Sequence, residues 1–505
     1  MKAQLQKLLA VLITSALAGV ASMSASAQAQ SASQADGDQA ASTAQTPDQT
    51  STEAGSQKVK TLEAVHVTGS MIRSVDVELA QPVVTISAQD IQRQGFATVG
   101  QFLQNLTAAN VPDISKSDSL DGGPDVGGSY INLRGLSAVR TLVLIDGKRM
   151  GTSYDGLTNL DTIPTSIIDH IDVLADGASA IYGSDAIAGV INIITKKDFN
   201  GMQLDTYNGQ YMPHHDGNQQ QYAFTAGKST SRWSIMFSAQ YQDQDAIGAA
   251  RRPYSAYPLT NLHPYDGLAP LGAYGQILNP ATDPVNNPNG LPLILNAGGD
   301  PRNIADYHPQ ISPTYGNNGE VIAPGDTYNV NYQNSLQSST NMKNAFLQGH
   351  YDLQSNLTAN FSASYNEQGN TSLLNGYPLS TSGLVDPEQP QFTNLALSQY
   401  SYYNPYNAVG QTPQDIDFQR LVLEAPRLSV NKVKNYRYSV GLEGNFSLGE
   451  HLFNWDANYY DTKYEGTILN TGNFYLPNLQ NALGASFLGA NGVAQCGTPD
   501  NVIAG

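Results

Sequence analysis

LADGASAIYGSDAIAGVINIITKK, residues 174–197, joins two compositions in one short run. Its first half is built of small residues: Gly177, Ala178, Ser179 and Ala180 lead into Tyr182-Gly183-Ser184-Asp185, and a second small patch covers 186–189. Glycines there permit tight turns and close approach of backbone to backbone. The second half, Val190-Ile191-Asn192-Ile193-Ile194-Thr195, is β-branched almost throughout and reads as a buried strand. By itself the run predicts a compact loop–helix–strand unit.

These residues also resemble the end of the plug domain of TonB-dependent outer-membrane receptors. That family shows G-x-S-A-hydrophobic-Y-G-small-x-A followed by G-V-I-N-I-I-T. The match rests on Gly177, Ser179, Ala180, Tyr182, Gly183, Ala186, Gly189, Val190, Asn192 and Thr195. The resemblance implies an α+β plug domain, here 69–198, followed by an antiparallel transmembrane β-barrel of about 22 strands.

The residues before the motif read as an α+β domain. Pro82 to Ile86 read as a strand, and Ser87 with Asp90 three residues on is an acidic variant of the capping box. Ile91, Phe96, Val99, Phe102 and Leu103 follow at near-helical spacing broken by Gly95. Residues 129–135, SYINLRG, read as a strand with a buried arginine and resemble the family's I/L-R-G element. Asp146-Gly147 marks a hairpin, and 167–174, IIDHIDVL, is one more strand. Asp121, Asp125, Asp155, Asp161 and Asp176 lie in this domain as solvated loop acids, since no metal-loop spacing and no nucleophile–base pairing accompanies them. Catalysis is therefore not expected, nor is a metal or other cofactor.

Further upstream, Lys2 and Lys7, the apolar stretch 8–20 and Ala25-Ser26-Ala27 make residues 1–27 a signal peptide. Residues 28–60 are a polar, low-complexity tether with little to bury. Then comes Thr61-Leu62-Glu63-Ala64-Val65-His66-Val67-Thr68, a short strand-like island with Val65 and Val67 on one face and His66 on the other. It resembles the family's energy-coupling box, which a periplasmic partner captures by strand addition. A first plug strand, or more linker, is the alternative for these eight residues.

Beyond residue 198 the pattern alternates. Trp233, Ile235, Phe237, Ala239 and Tyr241 are separated by polar residues, and the same holds from Leu357 to Tyr365, Tyr436 to Phe446 and Phe453 to Tyr459. Such strands suit a barrel with an apolar outside and a polar inside. Three connections are short and two, roughly 243–341 and 369–432, are long and rich in Pro, Asn, Gly and Tyr. Structureless loops of that length argue against a compact soluble sandwich. About seven strands are visible in 199–505, which reads as a truncated N-terminal portion of the barrel and makes the chain alone unfit for transport.

Charged residues are 13% of the chain, roughly half the usual share. The net charge of −18 argues against a nucleic-acid binder. A single cysteine, Cys496, excludes an internal disulfide framework. The resemblance implies a receptor that binds a scarce ligand at the cell surface and imports it across the outer membrane, driven by a TonB-type energy transducer. A passive plugged channel or a surface adhesin is the alternative. The ligand is left open among siderophore, cobalamin, haem, oligosaccharide and peptide. Relatives lock plug to barrel with buried arginines, and here Arg134 is expected to pair with Glu443 on the barrel's inner face. Asp456 on the next strand is the second candidate, and a partner within the plug, for instance Asp146 or Asp172, or one on barrel strands beyond this sequence, is the alternative.

Overall fold

Local sequence chemistry accounts for the first elements. The computed structural model describes residues 83–503, apart from 113, 115, 117–122, 124, 213, 257–267, 270, 282, 317–320, 384–394 and 450. The signal peptide, the tether and the 61–68 segment lie outside the described residues. Strand β1 (Val83–Ser87) runs into helix α1 (Ala88–Arg93). The Asp90 amide donates to Ser87 Oγ at 3.2 Å while the Ser87 amide donates to the Asp90 carboxylate at 3.3 Å, which closes the capping box. Gly95 at φ +74° ends that segment. Thr98 then caps helix α2 (Val99–Gln104), accepting from the Gln101 amide at 3.1 Å. Both helices press Ile91, Val99, Phe102 and Leu103 into one core.

Strands β2 (Thr141–Ile145) and β3 (Lys148–Arg149) meet at Asp146 (φ 50°) and Gly147 (φ 74°), the paired left-handed residues of a type I′ turn. Strand β4 is Ile168–Leu174 and strand β5 is Gly189–Thr195. From edge to edge the sheet runs β1, β4, β5, β2, β3, with β2 and β5 parallel and the other neighbours antiparallel. Successive residues of β5 feed opposite faces. Ile191 and Ile193 join the large core, while Val190 joins Leu142, Leu144, Leu174, Ala178 and Ala186 on the other side.

One strand expectation is corrected. Within 129–135 only Asn132–Leu133 pairs, against Ala109–Asn110. Arg134 (φ 55°) and Gly135 (φ 70°) both take left-handed backbone, so the chain turns away directly after Leu133.

Seven long antiparallel strands follow: β6 (Gly201–Tyr211), β7 (Asp216–Ser229), β8 (Trp233–Gln244), β9 (Ser339–Gln354), β10 (Leu357–Ser380), β11 (Phe418–Leu448) and β12 (His451–Thr471). Each pairs with its sequence neighbour in one curved wall. On β8, Ser234, Met236, Ser238, Gln240, Gln242 and Gln244 are buried and Ile235 on the opposite face is exposed, so the polar face looks inward as the alternation predicts.

The long connections are more ordered than their composition implied. Much of 369–432 is strand, because the β10–β11 ladder continues past Ser372↔Ser429 to Ser380↔Gln419. Inside the other connection, Gln276–Ile277, Leu293–Leu295 and Tyr307–Pro309 extend the same sheet. Ile277 and Leu293 from this connection and Tyr406 and Ile416 from the other form a small core between the two. Among the described residues β6 and β12 do not pair, so the wall stays open. No helix of the described residues is long and apolar enough to cross a membrane.

Candidate functional site: the seam between plug and wall

The motif residues act as a joint. Gly189, at φ +142°, has no room for a side chain, since a Cβ would meet the Leu174 carbonyl oxygen at 2.4 Å. Gly183, at φ +88°, ends the short helix α3 (Ser179–Tyr182). The Ala178 amide donates to the Ala186 carbonyl at 2.9 Å and closes the loop on itself. The Tyr182 carbonyl accepts from Arg149, which also pairs with Asp185. Asn192 accepts from the Gly147 amide at 2.9 Å, and the Thr195 amide donates to Asp146 at 3.0 Å. The two polar residues of β5 therefore hold the β2–β3 turn. Thr195 also reaches the wall, its hydroxyl lying 2.7 Å from the Asp146 carboxylate and 2.8 Å from Gln348 Oε1.

From there the seam is stitched by side-chain amides and hydroxyls of the wall. Gln348 donates to the Lys196 carbonyl at 2.6 Å, Asn344 to the Asp161 carbonyl at 3.0 Å and Asn366 to the Thr162 carbonyl at 2.6 Å. Ser166 and Ser238 hydroxyls meet at 2.9 Å, and Asn159 donates to Gln368 at 2.5 Å. Lys148 reaches Asn360 at 3.2 Å and Tyr464 donates to Asp125 at 3.2 Å. Buried polar groups must be paired, and these neutral amides satisfy the plug's carbonyls. Met236 and Phe346 add the wall's apolar contribution to the plug core.

Two plug acids differ from their sequence reading as solvated loop residues. Asp161 is 2% exposed; Lys116 lies 2.8 Å from its carboxylate and Ser129 donates to it at 2.7 Å. Burial alone would raise its pKa, but the Lys116 ammonium and the hydrogen bonds hold it below the usual carboxylate range. Asp125 is also buried and accepts from Ser153 at 2.6 Å. Burial pushes its carboxyl upward. The signal available in the sequence was Asp161's place between the apolar residues Leu160 and Ile163.

Two cavities flank this seam. One is lined by Asp125, Tyr130, Ser153, Asn366, Tyr436 and Tyr464; the other, nearer the short turns, by Asp146, Lys148, Glu443, Asp456 and Asn458. Arg437 lines both. It is 5% exposed and donates to the Arg149 carbonyl at 3.4 Å and to Ser362 at 3.3 Å. The alternation from Tyr436 to Phe446 sets Arg437 on the inward polar face with Ser439 and Glu443, but nothing in the sequence marks it as a contact to the plug.

The expected lock between Arg134 and Glu443 is not formed. Arg134 is exposed; it donates to the Ile187 carbonyl at 2.8 Å and the Ala188 carbonyl at 3.2 Å, with Asp176 at 3.7 Å. The left-handed turn at Arg134 sends its side chain back over the motif loop, so its acidic neighbour lies within the plug. That neighbour is neither Asp146, held by Thr195, nor Asp172, which accepts from Thr85 at 2.7 Å. Glu443 does face the plug, across the cavity shared with Lys148 and Arg437. Among the described residues no group of three or more His, Cys, Asp or Glu side chains is placed to hold a metal ion.

Residues 76–190 match the family model described as TonB-dependent Receptor Plug Domain. Among solved structures, the chain is similar to a variant of the ferric enterobactin receptor of Pseudomonas aeruginosa in complex with enterobactin, at 16% identity and a TM-score of 0.42 over 77% of this chain and 42% of that one. The siderophore receptor of Acinetobacter baumannii aligns at 16% identity and a TM-score of 0.36, covering 76% and 48%. The unliganded ferric citrate transporter aligns at 12% identity and 0.40, covering 78% and 49%. The chain spans less than half the length of each of these three proteins. Residues 76–190, which hold strands β1 to β4 and most of the motif loop, therefore match the plug domain of TonB-dependent receptors.

Proposed function

We propose that the protein is an outer-membrane import receptor. It binds a scarce ligand on the long-loop side and admits it when a periplasm-spanning TonB-type transducer pulls on residues 61–68. In this reading residues 1–27 are removed on secretion, 28–60 tether the coupling segment, 69–198 form the plug and 199–505 belong to the barrel wall. The observation that supports it best is the chemistry of the seam. Plug and wall meet mainly through neutral hydrogen bonds flanked by cavities, so the interface is able to part without separating a line of buried ion pairs. The ligand is drawn from the siderophore, cobalamin, haem, oligosaccharide or peptide classes. The reading is tested by deleting residues 62–68 from the full-length protein and measuring accumulation of each class of ligand by cells. Loss of accumulation for one class supports energy-coupled import. Accumulation that survives the deletion supports a passive plugged channel.

A further inference from the structure

The outward face of the wall carries a band of aromatic and apolar residues that ends in a cluster of lysines. Trp233 and Tyr241 bracket this band on β8, about 27 Å apart at about 3.4 Å per residue. At the tilt of about 40° of barrel strands that is a rise of about 20 Å, comparable with the apolar belt of about 25 Å on membrane barrels. At its long-loop edge stand Tyr222 and Tyr241, paired across β7 and β8, and Tyr365 and Tyr436, whose rings lie 5.2 Å apart. In register with Tyr222 and Tyr241, and one step beyond Tyr365 and Tyr436, come Lys343, Glu367 and Lys434 across β9, β10 and β11, with Lys432 one step further out.

Three ammonium groups share one carboxylate here. Lys432 is 3.2 Å, Lys343 3.5 Å and Lys434 3.9 Å from Glu367. The Glu367 side chain is only 16% exposed while the lysines are 53%, 44% and 36% exposed, so the carboxylate lies beneath and the cations face outward. Tyr365 donates to Glu367 at 2.8 Å and fixes it. On β12 Lys463 is paired with Glu465, and Asp461 stands closer to the aromatic band; Asp243 lies on β8. The trio keeps an excess of positive charge on a chain whose net charge is −18.

We infer that Lys343, Lys432 and Lys434 form a docking site for the phosphate group of a lipid in the leaflet on the long-loop side. The inference rests on the outer-membrane reading above. A tyrosine belt sits at headgroup level, the cations stand level with it and just past it, and a phosphate oxygen forms charge-assisted hydrogen bonds with several ammonium groups together. The occupant is lipid-borne because the site adjoins the apolar band rather than the seam.

The test uses the full-length protein purified from outer membranes in mild detergent, with lipid phosphorus per protein as the readout. Each lysine neutralised is expected to weaken retention about fivefold, so K343Q/K432Q/K434Q loses most of the bound lipid. E367Q, which exposes the trio's full charge, is expected to retain more. Added inorganic phosphate at millimolar concentration leaves the lipid in place if acyl contacts contribute. Equal lipid phosphorus in wild type, the triple variant and E367Q overturns the inference, as does complete displacement by inorganic phosphate. If the triple variant does not fold, the rise expected in E367Q still decides. Absence of the full-length protein from the outer membrane would instead overturn the reading on which the inference rests.

Discussion

Gly189 shows how a single motif residue is fixed by geometry. A Cβ there would meet a backbone oxygen at 2.4 Å. G189A is therefore expected to lower plug stability by about 1–3 kcal/mol through overpacking, read as faster protease cleavage of the plug in the full-length protein. Asp161 makes a pH prediction. Its pKa is depressed in the folded plug, so it contributes stability above the unfolded value of about 4 and loses it as pH falls through the lower folded value. Protease protection of the plug should drop on acidification below about pH 4, and D161N should flatten that step while weakening the plug at neutral pH. Arg134 gives the third test. A double-mutant cycle of R134A with E443A should show no coupling, whereas R134A with D176A should couple by about 0.5 kcal/mol. Coupling of about 1 kcal/mol or more with Glu443 would restore the lock that this structure lacks.

At the scale of elements, the alternation from Trp233 to Tyr241 and its counterparts was legible because a strand's period of two shows wherever one face is apolar. The capping box at Ser87 and the turn at Asp146-Gly147 were legible for the same reason: each is a local rule satisfied by adjacent residues. What the sequence hid depends on distant partners. The turn at Arg134 is set by packing of Leu133 and by carbonyls about fifty residues away. The burial of Asp161 is set by Lys116 and by strands far along the chain. The polar inner face was readable, but which amides meet the plug was not. Asn344 and Asn366 are nearly fully buried, and each donates to a plug carbonyl. N344A/N366A should leave two carbonyls bare, at about 1–3 kcal/mol each, and raise the conductance of the full-length protein in lipid bilayers. A closed channel in that variant would show that the seam is held elsewhere.

Over the whole molecule, a five-stranded sheet lies against the polar face of a seven-stranded wall, and the motif joint at 174–195 connects them. The chain between β5 and β6 is only a few residues long, so plug and wall are tied at the short-turn end. In the proposed mechanism, pulling from residues 61–68 would load a domain that, beyond that short tie, meets the wall mainly through hydrogen bonds of neutral side chains. Substituting Val65→Pro removes one backbone donor from the strand the transducer would capture and touches neither seam nor loops. Ligand binding and ligand accumulation, measured side by side in cells bearing full-length Val65→Pro, test the account most directly. Binding equal to wild type with accumulation abolished is the expected result; accumulation at the wild-type rate would contradict it.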